Sequence, residues 1–178
     1  DELYHILRKR LFETVAPDNE VQRIAEDYRE ALREAQKMGL TTTTPESLYT
    51  RIIDSYPFHP DLRELVGKFK ENDGFQQTRG VIRLMQMVVS SLWNSKKAGG
   101  IDLIHPYDLD LNLDEIASEV RTINPSLSEA IAHDIAHAGD AEVEQIDLVN
   151  GNSDASDAAR LILVASLSTT PGAIHGLR

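Results

Sequence analysis

From Glu20 to Met38 the apolar residues Val21, Ile24, Ala25, Tyr28, Ala31, Leu32 and Ala35 recur at intervals of three and four, and Gly39 follows. A half-buried strand would alternate; this spacing lines one face of a helix, and glycine suits the residue after a helix end. The same period dominates the chain. Leu3, Ile6, Leu7 and Leu11 predict a helix over Leu3–Phe12, ending near Ala16 to Asn19. Thr43 or Thr44 is a cap for a helix that opens at Pro45 and reads "PESLYTRIIDSY", and Pro60 opens another to about Phe69. Further helices are expected over Thr78–Lys97, Leu113–Ile123, Leu127–Ala138 and Ser156–Ser168, the first of them apolar over more than half its circumference and so the central buried helix. Only "IDLIHPYDLDLN" departs from the pattern, reading as a loop with a short extended segment. The fold class is mainly α, a helical bundle without internal repeats.

With 178 residues, 41% of them hydrophobic, the chain can bury one good core, or one domain plus the beginning of another. No window approaches the about 20 uninterrupted apolar residues of a membrane span, and the first thirty residues carry charge throughout. A cytoplasmic protein with no membrane partner is the plain expectation. The absence of cysteine excludes disulfides and thiolate chemistry. A net charge of -11 argues against a broad nucleic-acid footprint, leaving only Leu7 to Arg10 and Asn94 to Lys97 as basic patches. A start at Asp1 and a tail, "TTPGAIHGLR", without a closing element suggest a piece of something longer.

The motifs of a complete active site are missing. The Gly67-Lys68 pair is followed by Phe69 and preceded at the P-loop spacing by Leu62, so it fails at two positions; no Walker B strand, G-x-S-x-G or H-E-x-x-H occurs. No catalytic residue is therefore assigned. His133 and His137 stand at i and i+4 on the expected Leu127–Ala138 helix, a zinc spacing, but no third ligand accompanies them. Asp108, Asp110, Asn112, Asp114 and Glu119 fit positions 1, 3, 5, 7 and 12 of a calcium loop, yet Leu113 holds the position that requires glycine. No metal site is expected.

The stretch "GFQQTRGVIRLMQMVVSSLW", Gly74 to Trp93, places Arg79 and Arg83 one turn apart at the start of the most apolar helix. In a first turn, unpaired backbone N–H groups already favour an anion, so Arg79 could meet a phosphate. It could equally pair with Asp54, Asp61 or Glu64, and spacing alone favours that ion pair.

"YPFHPDLRELVGKF", "GFQQTRGVIRLMQMVVSSLW" and "IDLIHPYDLDL", with "DELYHILRKRLFE" ahead of them, resemble the lid region of a family of large bacterial and archaeal AAA+ ATPases that includes the ATPases of BREX-type phage-defence systems. The resemblance covers Asp1 to about Ile123 well and the remainder more weakly. It implies a lid-like helical domain over residues 1–123 and the truncated start of a further helical or winged-helix domain over 124–178. It further implies that Arg79 is a sensor-2 arginine reaching the γ-phosphate of ATP, that Thr78 caps the helix beside the nucleotide, and that Arg83 is a support paired with a carboxylate. ATP and Mg would belong to the full-length protein and neither to the isolated fragment. The implied partners are the missing AAA+ base domain, a protein or nucleic-acid substrate that the ATPase remodels, and in some settings further copies of the protein. The rival from another class is a non-enzymatic helical interaction or DNA-binding regulatory module; the expected helix over Leu127–Ala138 has no Arg or Lys, which disfavours DNA reading.

Overall fold

The computed structural model describes residues 2–69, 77–95 and 97–167. Among them every regular element is helical, and the only extended pairing is one parallel bridge between Phe58 and Ile104. The chain divides into two compact units, Asp1–Glu64 with Gly100–His105, and Leu65–Gly99 with Pro106–Leu177. The boundary expected at residue 123 falls inside the second unit, and the tail "TTPGAIHGLR" lies outside the described residues.

The first unit is built on α1 (Glu2–Leu11), α2 (Asp18–Lys37), α3 (Pro45–Ser55) and the opening of α4 (Pro60–Phe69). The periodic residues of α2 meet those of α3: Ile24, Ala25, Leu48 and Ile52 are buried together, with Tyr28, Leu32, Tyr49, Ile53 and Tyr56 packed around them. Leu103, far away in sequence, completes this core at 1% exposure. It gets there because the extended segment around Ile104 pairs with the corner after α3: the Ile104 N–H donates to Pro57 O (2.9 Å) and the His59 N–H to Ile104 O (2.8 Å). The Ser55 hydroxyl, fully buried, donates to Phe58 O at 2.8 Å and holds the corner from inside. Thr44 stands at the start of α3 with Pro45 as first helical residue, though its hydroxyl makes no cap bond.

The second unit is organised by α5 (Gln77–Asn94) and α6 (Asp114–Ile123). Val81, Leu84, Met85, Val88 and Leu92 of α5 and Ile116, Ala117, Val120 and Ile123 of α6 are buried, and Leu109 and Leu111 add the inward face of the intervening segment. The apolar arc expected to cover more than half of α5 is not buried throughout: Met87 is half-buried and Trp93 is 75% exposed.

The helix expected over Leu127–Ala138 is broken. A turn over Pro125–Leu127, capped by Asn124 accepting from the Ser126 N–H, leads into α7 (Ser128–Ala130), which widens to π geometry over Ile131–Ile135 and stops. Two left-handed residues follow, Ala138 (φ 53) and Gly139 (φ 101). The cause is Glu144, on a helix that periodicity did not reveal, α8 (Glu142–Asn150). Its Oε2 accepts the N–H groups of His137 (3.0 Å), Gly139 (2.9 Å) and Ala141 (3.1 Å), and its Oε1 accepts from Asn112 Nδ2 (2.6 Å). Burial pushes the Glu144 carboxyl up, but the Asn112 amide and the three backbone donors outweigh it and hold it below the usual carboxylate range. Glu144→Ala should therefore cost about 1–2 kcal/mol in urea unfolding, as loss of a multiply bonded cap does, with Glu144→Gln between the two. An unchanged midpoint for both would show that the carboxylate does not hold this loop.

Gly151, left-handed at φ 70, ends α8, and α9 (Asp154–Leu167) returns. Asp147 of α8 caps it, accepting from the Ala155 and Ser156 N–H groups at 2.9 Å each.

Candidate functional site

The described part of α5 begins at Gln77, with Thr78 and Arg79 in its first turn. That turn carries N–H groups with no intrahelical acceptor and the positive end of the helix dipole. No acidic residue belongs to the turn. Thr78 is half-buried, Gly80 and Val81 are buried, and Arg79 is exposed. Among the described residues Arg79 has no hydrogen bond and no ion pair. Two of the carboxylates that spacing offered it, Asp61 and Glu64, are engaged by Arg51 at 3.1 and 2.6 Å.

Arg83 is held differently. Its Nη2 lies 3.1 Å from Glu119 Oε1, joining α5 to α6; the guanidinium is 72% exposed and the Glu119 side chain only 16%. One turn of helix therefore separates a cation tied to its neighbour from one that points to solvent. An untied guanidinium beside free N–H groups can bind an oxyanion by charge-assisted hydrogen bonds; a tied one can fix the helix that carries it.

A second polar cluster, in the first unit, carried no role in the sequence reading. The bridge at Phe58 and Ile104 sets two similar corners in register, Phe58-His59-Pro60 and Ile104-His105-Pro106. Their imidazoles stack at 4.6 Å between centroids and 25° between planes, Tyr28 stacks on His105 at 5.8 Å, and Tyr28 Oη lies 2.8 Å from His105 Nε2. His59 Nδ1 accepts from the Asp61 N–H at 3.3 Å, so this nitrogen is unprotonated. Burial lowers the pKa of both rings, that of His105 to about 4, where the neighbouring His59 adds to the effect. Near-parallel rings do not converge on a common point, so the cluster is a packed neutral stack and not a ligand set. The repeated apolar-His-Pro triplet was its only signal in the sequence.

The two spacings that imitate metal sites come apart. His133 lies in the π turn with its Nδ1 2.6 Å from Asp134 Oδ1, whereas His137 lies past the helix end, because the chain turns extended at Ala136. Of the calcium-like set, Asp110 accepts the Asn112 N–H, Asn112 bonds Glu144 and the Ala138 N–H, and Glu119 serves Arg83. Among the described residues no group of three or more His, Cys, Asp and Glu is arranged to hold a metal ion.

A family model described as the DUF499 second domain matches residues 1–147 of the 178. The chain belongs to the DUF499 family. The match takes in Arg79, Arg83, Glu119, both histidines of the stack and Glu144; α9 of this DUF499 chain lies beyond it. No curated protein and no solved structure matches the chain. Among the described residues no helix is long and apolar enough to cross a membrane.

Proposed function

We propose that this DUF499 chain is the helical lid of a large AAA+ ATPase, with Arg79 as the residue that reaches the γ-phosphate of bound ATP. The observation that carries the reading is the exposed guanidinium in the first turn of α5, without a partner among the described residues, one turn before an arginine anchored on α6. The motif resemblance around Arg79 supports it, and so does the physics: a planar five-donor group suits phosphate oxygens, and its contact would exist only while the γ-phosphate is present. Without Walker elements the chain cannot supply the main cradle for ATP and Mg, which this reading assigns to a base domain of the full-length protein. Hydrolysis there would remodel a nucleic-acid or protein complex in the cytoplasm, with BREX-type phage defence as the setting.

The purified 178-residue chain should therefore show no ATP turnover. Measurable hydrolysis that a point substitution within the chain abolishes would reveal an active site of its own and end the lid reading. The decisive test is turnover by the full-length protein carrying Arg79→Ala, with Arg83→Ala beside it.

A further inference from the structure

The turn that ends α8 reads Asn150-Gly151, and no other asparagine of the chain stands before a glycine. An asparagine side chain and the next backbone nitrogen can close a cyclic imide, and a glycine in second place sets no Cβ beside the attacking nitrogen. Asn150 is exposed, and among the described residues its side-chain amide makes no hydrogen bond. Gly151 is left-handed at φ 70 and ψ 30, with open space where a side chain would stand.

Helical geometry protects the pair only while the turn stays closed. The Gly151 N–H donates to Asp147 O at 2.7 Å and the Asn152 N–H to the same oxygen at 3.3 Å, so the nitrogen is engaged. Opening this turn costs little. Leu148 and Val149 are 75% and 86% exposed, so unwinding it strips little packed apolar surface, and such helix ends open well below the free energy of global unfolding. The other asparagines lack this combination: Asn152 precedes Ser153 and donates to Asp154 Oδ2 at 2.7 Å, whereas Asn112 precedes Leu113 and is held by Glu144 and the Ala138 N–H.

We propose that Asn150 is a site of spontaneous deamidation, at which the turn between α8 and α9 is converted to an aspartyl or isoaspartyl linkage. In the opened turn the Gly151 nitrogen gives its proton to a base in solution and attacks Asn150 Cγ; the N–Cγ bond forms, the Cγ–Nδ2 bond breaks, and ammonia leaves with a proton returned from solvent. Water then opens the imide. Attack at Cγ restores the ordinary main chain with a carboxylate side chain, and attack at the backbone carbonyl leaves the isoaspartyl link, one methylene longer. Either product sets an anion at the C-terminal end of α8, where the helix dipole disfavours it, one turn from Asp147. The longer link also carries the Gly151 N–H away from Asp147 O. Both weaken the turn that delivers α9 to its cap on Asp147. This inference does not depend on the role of Arg79.

The test is to age the folded chain in mildly alkaline buffer made with heavy-oxygen water and to map its peptides by mass spectrometry. Asn150 should gain one acid with one heavy oxygen, as a mixture of aspartyl and isoaspartyl forms, severalfold faster than Asn152 or Asn112, while circular dichroism stays that of the fresh chain. The urea midpoint of the aged protein should fall below that of the fresh one. Asn150→Gln, whose longer side chain closes the ring far more slowly, should keep its midpoint on ageing, and Asn150→Asp should start from a lowered one. The proposal is overturned if Asn150 stays intact in the folded chain, if Asn152 or Asn112 converts as fast, or if the isoaspartyl form is missing, since direct hydrolysis yields only the aspartyl one. It is equally overturned if conversion leaves the midpoint unchanged, or if Asn150→Gln loses as much on ageing as the parent.

Discussion

Replacing Arg79 by alanine in the full-length protein is expected to lower ATP turnover by about tenfold or more, by analogy with other arginines that stabilise a transferring phosphoryl group. Stability should hardly change. The side chain is exposed and unpaired among the described residues, and surface substitutions of that kind stay within about 0.5 kcal/mol. Arg79→Lys should restore turnover only in part, since an ammonium keeps the charge but loses the planar fork. Arg83→Ala provides the contrast. It removes a partner from Glu119, whose side chain is only 16% exposed, so it should cost up to about 1 kcal/mol of stability and less turnover than Arg79→Ala. If both variants lose the same stability and hydrolyse ATP normally, Arg79 is a structural residue and the sensor assignment fails.

What the sequence disclosed, and what it withheld, follows the range of the interactions involved. α2, α3, α4 and α6 were legible because their caps, prolines and apolar spacing are local, and the structure keeps them within about two residues of expectation. α8 was not legible: Ile146, Leu148 and Val149 are all exposed, so its apolar residues mark no single buried face. The break after Ile135 was hidden for a related reason, since the carboxylate that captures the N–H groups of His137 and Gly139 comes from that same unseen helix. Trp93 illustrates a different failure. Apolar character predicted burial, but a helix packed along one side leaves part of its circumference in water, and no local rule decides which large residue stays there. At the candidate site, the sequence identified Arg79 and Arg83 and the turn that carries them. The tie between Arg83 and Glu119, 36 positions apart in the chain, is a tertiary fact.

The histidine stack, equally tertiary, leads to the second large expected effect, a loss of stability on mild acidification. Both rings have folded-state pKa values below the ordinary 6.5, His105 at about 4, with burial as the first cause. For a group depressed in the fold, the unfolded chain takes up the proton first. Stability is therefore complete above pH 6.5, falls as the pH drops below it, and stops falling on this account near pH 4, where folded His105 protonates too. Each unit of difference is worth about 1.4 kcal/mol. The ring is only partly shielded from water, so solvent screening reduces the sum for His105 to about 2 kcal/mol. His59 adds in the same direction, opposed by Asp61 and Glu64 and assisted by Arg51. Protonation within the fold would set like charges 4.6 Å apart and cost the Tyr28 hydroxyl its acceptor if His105 Nε2 takes the proton. Carboxylates titrate over the lower part of the same window, so the informative measurement is a difference: urea midpoints of the parent chain and of His105→Gln at intervals from pH 7 to pH 4.5. Glutamine does not titrate there. The variant should be less stable at pH 7, and its deficit should shrink steadily as the pH falls; curves that run parallel across the interval would mean that His105 takes up its proton equally well in the folded and unfolded chain.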